Sequence, residues 1–200
     1  MRAGVKFKYL TWSQIYTLLL RQASQIRASG FKPEVIVGIS RGGWLPARVL
    51  SDLLENPNLA NAKAEAYTGI AEAKAEPTLT QPVSVDVTGK RVLIVDEVAD
   101  TGKSLSLIRD HVLAGGASEV RAATLFCKPQ SVFKPDYCEK ITSSWIVFPW
   151  EVKETLRGIL QKNGGDPAHA RNLLGKLERA GVPKRLTAKF LKEFSEGPPC

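Results

Sequence analysis

Hydrophobic positions along this chain follow two periods, and their alternation outlines the fold. Ile15, Leu18, Leu19, Gln22 and Ile26 mark one mostly apolar face of a helix. Thr11 and Gln14 form a capping box at its start, and Gly30 ends it. Val35 to Ile39 reads as a strand, followed by the turn Ser40-Arg41-Gly42-Gly43 and a helix from about Leu45 to Leu54, with Pro46 in its first turn. Further strands are predicted at Ala64 to Tyr67 and Val83 to Val87, while Thr68 to Gln81 between them has no periodicity. Val92-Leu93-Ile94-Val95 suits a strand buried on both faces of a parallel sheet. A helix from Leu105 to Leu113, a stop at Gly115-Gly116 and a strand from Val120 to Phe126 follow. Strands alternating with helices predict an α/β fold.

Beyond residue 151 only the helical period remains. Leu156, Ile159 and Leu160 mark one short helix. Leu173, Leu174 and Leu177 mark a second, with Asp166 as N-cap and Pro167 at its first position, and Leu186, Phe190, Leu191 and Phe194 mark a third. The expected division is a core over 1–151 and a three-helix bundle over 152–200.

Composition narrows the class. With 200 residues and 44% apolar content, one domain with a small appendage is expected. A net charge of +8 suits anionic ligands or nucleic acid. The tail, with ten Lys/Arg against five Asp/Glu, holds most of that excess, and a solvated basic surface is its commoner explanation. Cys127, Cys138 and Cys200 are an odd set without CxxC spacing, which points to free thiols in a reducing compartment. The N-terminus has no signal-peptide core and no segment is apolar enough for a membrane span, so a cytoplasmic protein is expected. His111 and His169 show no pairing pattern for a metal site or triad.

The chemistry concentrates at two turns and one aromatic run. Asp96 and Glu97 follow the apolar strand, and Asp100-Thr101-Gly102-Lys103-Ser104 opens the next helix. Backbone N–H groups at a helix start, with hydroxyls beside them, make a phosphate cradle. A P-loop reading of Thr-Gly-Lys-Ser fails, because the Gly it needs five residues before Gly102 is Glu97, whose charge would repel a triphosphate. At the earlier turn, Arg41 between Ser40 and the glycine pair can offer a guanidinium and backbone amides to a diphosphate. Lys128 sits at the end of the strand after the central helix, where ligands of parallel sheets bind. Trp145-Ile146-Val147-Phe148-Pro149-Trp150-Glu151 packs two tryptophans and a phenylalanine into six residues, either as cover for a sheet edge or as a stacking platform for a flat heterocycle.

The strand, paired acids, two spacers and Asp-Thr-Gly-hydroxyl order resembles the phosphoribosyl pyrophosphate (PRPP) motif of type I phosphoribosyltransferases. The aromatic run resembles the base-recognition hood of the xanthine-guanine branch. The resemblance implies a type I phosphoribosyltransferase fold with a parallel sheet of about five strands flanked by helices, a flexible lid near 68–81, and a homodimer. It further implies PRPP and a purine base as substrates and Mg2+ as cofactor. Residue by residue, it gives Ser40, Arg41, Gly42 and Gly43 the pyrophosphate, and Asp96 and Glu97 the ribose hydroxyls and, through water, the metal. Asp100, Thr101, Gly102, Lys103 and Ser104 take the 5′-phosphate, with Asp100 also the catalytic base facing the purine N7. Lys128, Trp145, Ile146 and Glu151 take the base. Lys128 is a pure donor and suits a 6-oxo group. The helical tail resembles that of archaeal adenine-specific enzymes, and its length tips the expectation towards adenine and AMP. A hypoxanthine, guanine or xanthine enzyme is the alternative, and a PRPP-binding nucleic-acid regulator a remoter one.

Overall fold

The computed structural model describes residues 6–66, 76–162 and 167–196. Along the chain the elements run β1 (Phe7–Tyr9), α1 (Trp12–Ala28), β2 (Val35–Ser40), α2 (Trp44–Leu53), β3 (Leu59–Ala66), β4 (Pro77–Gln81), β5 (Arg91–Ala99), α3 (Lys103–Ala114), β6 (Glu119–Cys127), β7 (Tyr137–Ile141), β8 (Trp145–Val147), α4 (Val152–Lys162), α5 (Pro167–Arg179) and α6 (Lys184–Glu196). They fall into two compact units, Tyr16–Thr142 and Met1–Ile15 with Ser143–Cys200.

The larger unit is built on a sheet ordered β4-β3-β2-β5-β6-β7. The five strands from β3 to β7 in that order pair in parallel, and β4 closes the other edge antiparallel to β3. The expected parallel sheet is present, with one antiparallel strand added. Val35, Val37 and Ile39 of β2, Val92 and Ile94 of β5 and Ala122 of β6 share an apolar cluster with Leu105, Ile108 and Val112 of α3. The alternate residues Ile36, Leu93 and Val95 are equally buried on the opposite side, where Gly38 faces Ala47 and Trp44 of α2. Burial on both faces is why these strands read as unbroken apolar runs, each Val, Leu or Ile contributing roughly 1.5–3 kcal/mol.

The α1 expectations hold in detail. Thr11 N–H donates to Gln14 Oε1 at 2.9 Å and Gln14 N–H to Thr11 Oγ1 at 3.3 Å, the reciprocal capping box. Gln22, the polar member of the apolar face, is fully buried and donates through Nε2 to the carbonyls of Thr124 (2.8 Å) and Tyr137 (3.3 Å).

Three boundaries differ from expectation. Val83 to Val87 is not a strand. Pro82 lacks an N–H for a ladder, Val83 N–H donates instead to His111 Nε2 at 3.2 Å, and Thr88 N–H bonds Asp86 Oδ1 at 3.0 Å in a local turn. The edge strand is β4, within the segment expected as a lid; of that segment, residues 68–75 lie outside the described residues. Finally, β5 continues through Ala99 because β6 runs beside it, with Asp96 opposite Thr124 and Ala99 opposite Cys127. Asp96 and Glu97 therefore lie within the strand rather than beyond it.

In the smaller unit β1 and β8 pair in parallel, Phe7 opposite Trp145 and Tyr9 opposite Val147. Val147, Val152, Leu156, Ile159, Leu173, Leu177 and Val182 form one cluster, joined by Phe7, Tyr9, Leu174, Leu186, Phe190 and Phe194. The three expected tail helices form; Asp166 itself lies outside the described residues. This shared core makes the compact division differ from 1–151 and 152–200, since Phe7 and Tyr9 of β1 and Val147 of β8 pack with the helices.

Candidate active site

The site residues of the larger unit gather where the topology divides. From β2 the chain passes through α2 to β3 on one side, and from β5 through α3 to β6 on the other. The carboxyl ends of two such neighbouring parallel strands bound a crevice suited to ligands. Gly38 pairs with Val95, so the turn after β2 emerges beside Asp96 and Glu97.

That turn is pressed against the acids. Gly43 N–H donates to Ile39 O at 2.9 Å and Trp44 N–H to Arg41 O at 3.3 Å; the Ser40–Arg41 peptide is cis. Asn61 Nδ2 donates to Ser40 Oγ at 3.3 Å. A Cβ on Gly42 would fall inside the Glu97 carboxylate, and one on Gly43 would lie 2.8 Å from Asp96 Cα. Only glycine allows this approach, so the Gly-Gly pair and the acid pair, far apart in sequence, form one surface.

Burial raises the Asp96 carboxyl above the ordinary range, offset in part by its hydrogen bonds with Glu97. Glu97 N–H donates to Asp96 Oδ1 at 2.9 Å. Burial, then the neighbouring Asp96 charge, push Glu97 well above the usual carboxylate range, while Arg41 pulls it back. Glu97 Oε2 is buried without a hydrogen-bond partner among the described residues. Two crowded carboxylates with an orphaned oxygen favour a cation, and hard oxygen donors suit Mg2+. No group of three or more His, Cys, Asp or Glu gathers for a metal among the described residues. Asp96 and Glu97 are the two carboxylates here that could hold such an ion.

The second turn closes the other side. Gly102 is left-handed at φ 81° at the N-terminus of α3, and a Cβ there would lie 2.6 Å from Ser131 Oγ and from Phe133. Lys103 N–H donates to Thr101 Oγ1 at 3.4 Å, and Val132 N–H to Thr101 O at 3.0 Å. The Lys103 ammonium is paired with Glu76, a partner that nothing in the sequence marked. Asp100 is exposed, and Gln130 Nε2 donates to its Oδ1 at 3.1 Å. Gln130 also escaped the sequence reading, being a lone polar residue in a turn. Lys128 N–H donates to Ala99 O at 2.9 Å, which seats the lysine beside Asp100. Burial lowers the Lys128 ammonium, and the Asp100 carboxylate partly restores it.

The hood residues lie in the smaller unit, so the expected base-binding set is divided between the two units. Trp145 is 49% exposed and Ile146 is buried in β8. Trp150 stacks on Phe148 with ring centroids 4.7 Å apart and also meets Trp12 at 5.4 Å. The Glu151 carboxylate accepts from Phe148 N–H at 3.1 Å and Glu151 N–H donates to Phe148 O at 3.2 Å, so both groups close the hood turn.

A family profile described as phosphoribosyl transferase domain matches residues 8–155. The chain belongs to the phosphoribosyltransferase family. A solved purine phosphoribosyltransferase from Pyrococcus horikoshii Ot3 is 39% identical, with a TM-score of 0.65 over 73% of this chain and 94% of that one. The xanthine-guanine phosphoribosyltransferase of Gluconobacter oxydans (strain 621H) is 25% identical over 149 residues, 74% of this chain and 86% of its own. The hypoxanthine-guanine phosphoribosyltransferase of Saccharomyces cerevisiae is 28% identical over 132 residues, covering 58% and 59%. The fold is the type I phosphoribosyltransferase fold, and this phosphoribosyltransferase is a glycosyltransferase of the purine group. The two named specificities are for 6-oxopurines, which favours the alternative set out above over the adenine reading. The family match ends within α4, leaving α5 and α6 beyond it.

Proposed function

We propose that this phosphoribosyltransferase moves the 5-phosphoribosyl group of PRPP to a ring nitrogen of hypoxanthine, guanine or xanthine, releasing pyrophosphate, and works as a homodimer. The observation that carries the proposal is the packing of Gly42 and Gly43 against Glu97 and Asp96 at neighbouring strand ends. The relatives' names and the donor chemistry of Lys128 support a 6-oxopurine.

As pyrophosphate departs, C1′ becomes oxocarbenium-like and charge grows on the leaving oxygens. Arg41 and the amides of the Ser40–Gly43 turn take up that charge. Asp96 and Glu97 would hold Mg2+ through water, and the ion would supply further charge neutralisation to the pyrophosphate. Asp96 and Glu97 hold the ribose hydroxyls, and their negative potential suits the cationic sugar. Thr101, Gly102 and Ser104 bind the 5′-phosphate at the start of α3, where backbone N–H groups face outward. Lys103 joins them by exchanging Glu76 for the phosphate. Asp100 accepts the proton at N7 as N9 attacks, with Gln130 fixing its carboxylate. Lys128 donates to the 6-oxo group, and Trp145, with the backbone near Ile146 and Glu151, contributes stacking and edge contacts.

Asp100→Ala tests the central assignment. Turnover with PRPP and hypoxanthine is expected to fall about 100-fold or more, the scale of one lost acid–base group, while PRPP binding by calorimetry is retained. Equal loss of both would remove Asp100 from the proton-transfer role.

A further inference from the structure

One contact reaches the turn after β2 from the neighbouring strand. Asn61 of β3 pairs with Gly38 of β2, and Ser40 pairs with Lys63. Paired residues of parallel strands turn their side chains to one face, and residues two apart on a strand share it. Asn61 and Ser40 therefore lie on the face where Gly38 meets Trp44 and Ala47 of α2, and Gly38 puts no side chain between them. Asn61, half-buried, donates through Nδ2 to Ser40 Oγ at 3.3 Å. We infer that Asn61 is a positioning residue for pyrophosphate, acting through the Ser40 hydroxyl. This rests on the pyrophosphate role proposed above for the turn.

A serine hydroxyl has one donor hydrogen and two acceptor lone pairs. With one lone pair engaged by the Asn61 amide, the Ser40 hydrogen is directed away from that amide and can donate to an anion on the turn. The turn also spends donors on itself, since Gly43 N–H is engaged by Ile39 O and Trp44 N–H by Arg41 O. With those two N–H groups committed, the direction of the Ser40 hydrogen weighs more in the donor set offered to a departing pyrophosphate. Asparagine suits the task because its amide donates without adding charge. Alanine would leave the hydroxyl to rotate. Aspartate, an acceptor only, would take the Ser40 hydrogen for itself and set a negative charge beside the anion. Nothing local in the sequence marks Asn61; its meaning comes from the register of β3 on β2.

The probe is inorganic pyrophosphate with Mg2+, titrated by calorimetry into the full chain. Asn61→Ala should bind it about 5-fold more weakly, the scale of one neutral hydrogen bond. Asn61→Asp should lose about 10-fold or more, because like charge adds to the lost bond. KM for PRPP should rise in step, while KM for hypoxanthine stays at the parent's value. In a Ser40→Ala background, Asn61→Ala should add no further loss, since the two residues act as one unit. Parental pyrophosphate binding in Asn61→Ala, an equal rise in both KM values, or losses that add in the double variant would overturn the inference. Should the alanine variant not fold, the near-isosteric Asn61→Asp carries the test, and parental affinity there would overturn the inference equally. A parent chain that does not bind pyrophosphate would instead remove the role proposed for the turn, so the two failures are told apart.

Discussion

Gly42 shows how one missing side chain organises the site. An added methyl would occupy the space of the Glu97 carboxylate, so Gly42→Ala must displace the turn or the acid. A misplacement of about 1 Å at a reacting centre costs on the order of 100-fold in rate. Steady-state kinetics with PRPP should show a loss of that size, and an unchanged kcat/KM would contradict the packing argument. Glu97 makes the complementary case, since burial and the Asp96 charge raise its carboxyl and its Oε2 has no hydrogen-bond partner among the described residues. A native carboxyl with a raised pKa holds its proton where the unfolded chain has lost it, so stability falls as pH rises from the ordinary glutamate range of 4.5 towards the native value. Glu97→Gln removes that loss. Its melting temperature should exceed the parent's at neutral pH by about 2 °C or more, the gap should close in acid where Glu97 is protonated, and turnover should drop. A variant less stable than the parent at every pH would contradict this account.

At the scale of elements, the tail helices rest on few side chains. Leu156 of α4 is fully buried in the cluster shared with α5 and β8. Leu156→Ala should cost about 2–5 kcal/mol, the range for a large core truncation, read as an earlier denaturant midpoint; a shift near zero would mean that this core is not cooperative. The elements most legible in the sequence were those whose periodicity reports two-sided burial or a clean helical stripe: β2, β5, β6, α1 and α4 to α6. The site turns were legible because glycine, hydroxyl and acid residues cluster there. What escaped depends on partners distant in sequence. The alanine-rich β3, expected only from Ala64, begins at Leu59, and β4 is a strand by pairing at the sheet edge rather than by composition. Val83 to Val87 has the composition of a strand, but Val83 N–H bonds His111 and Asp86 closes a local turn by accepting from Thr88 N–H. Gln130 and Glu76 carry no local signal and acquire meaning only through Asp100 and Lys103.

For the whole molecule, the PRPP-type turns all belong to one compact unit, while the aromatic hood shares a core with the C-terminal helices. The tail therefore supports the segment that bears Trp145 through their common apolar cluster, whatever its basic surface does besides. The net charge of +8 suits a polyanionic substrate. No helix among the described residues is long and apolar enough to cross a membrane. The resemblance of the tail pointed to adenine, and the donor at Lys128 with the relatives' names points to 6-oxopurines. Specificity constants for guanine, hypoxanthine, xanthine and adenine, measured at saturating PRPP and Mg2+, test this most directly. At least one 6-oxopurine should exceed adenine by about 100-fold, the discrimination expected when a donor meets an amino group instead of a carbonyl. Adenine turned over as well as or better than all three would contradict the account.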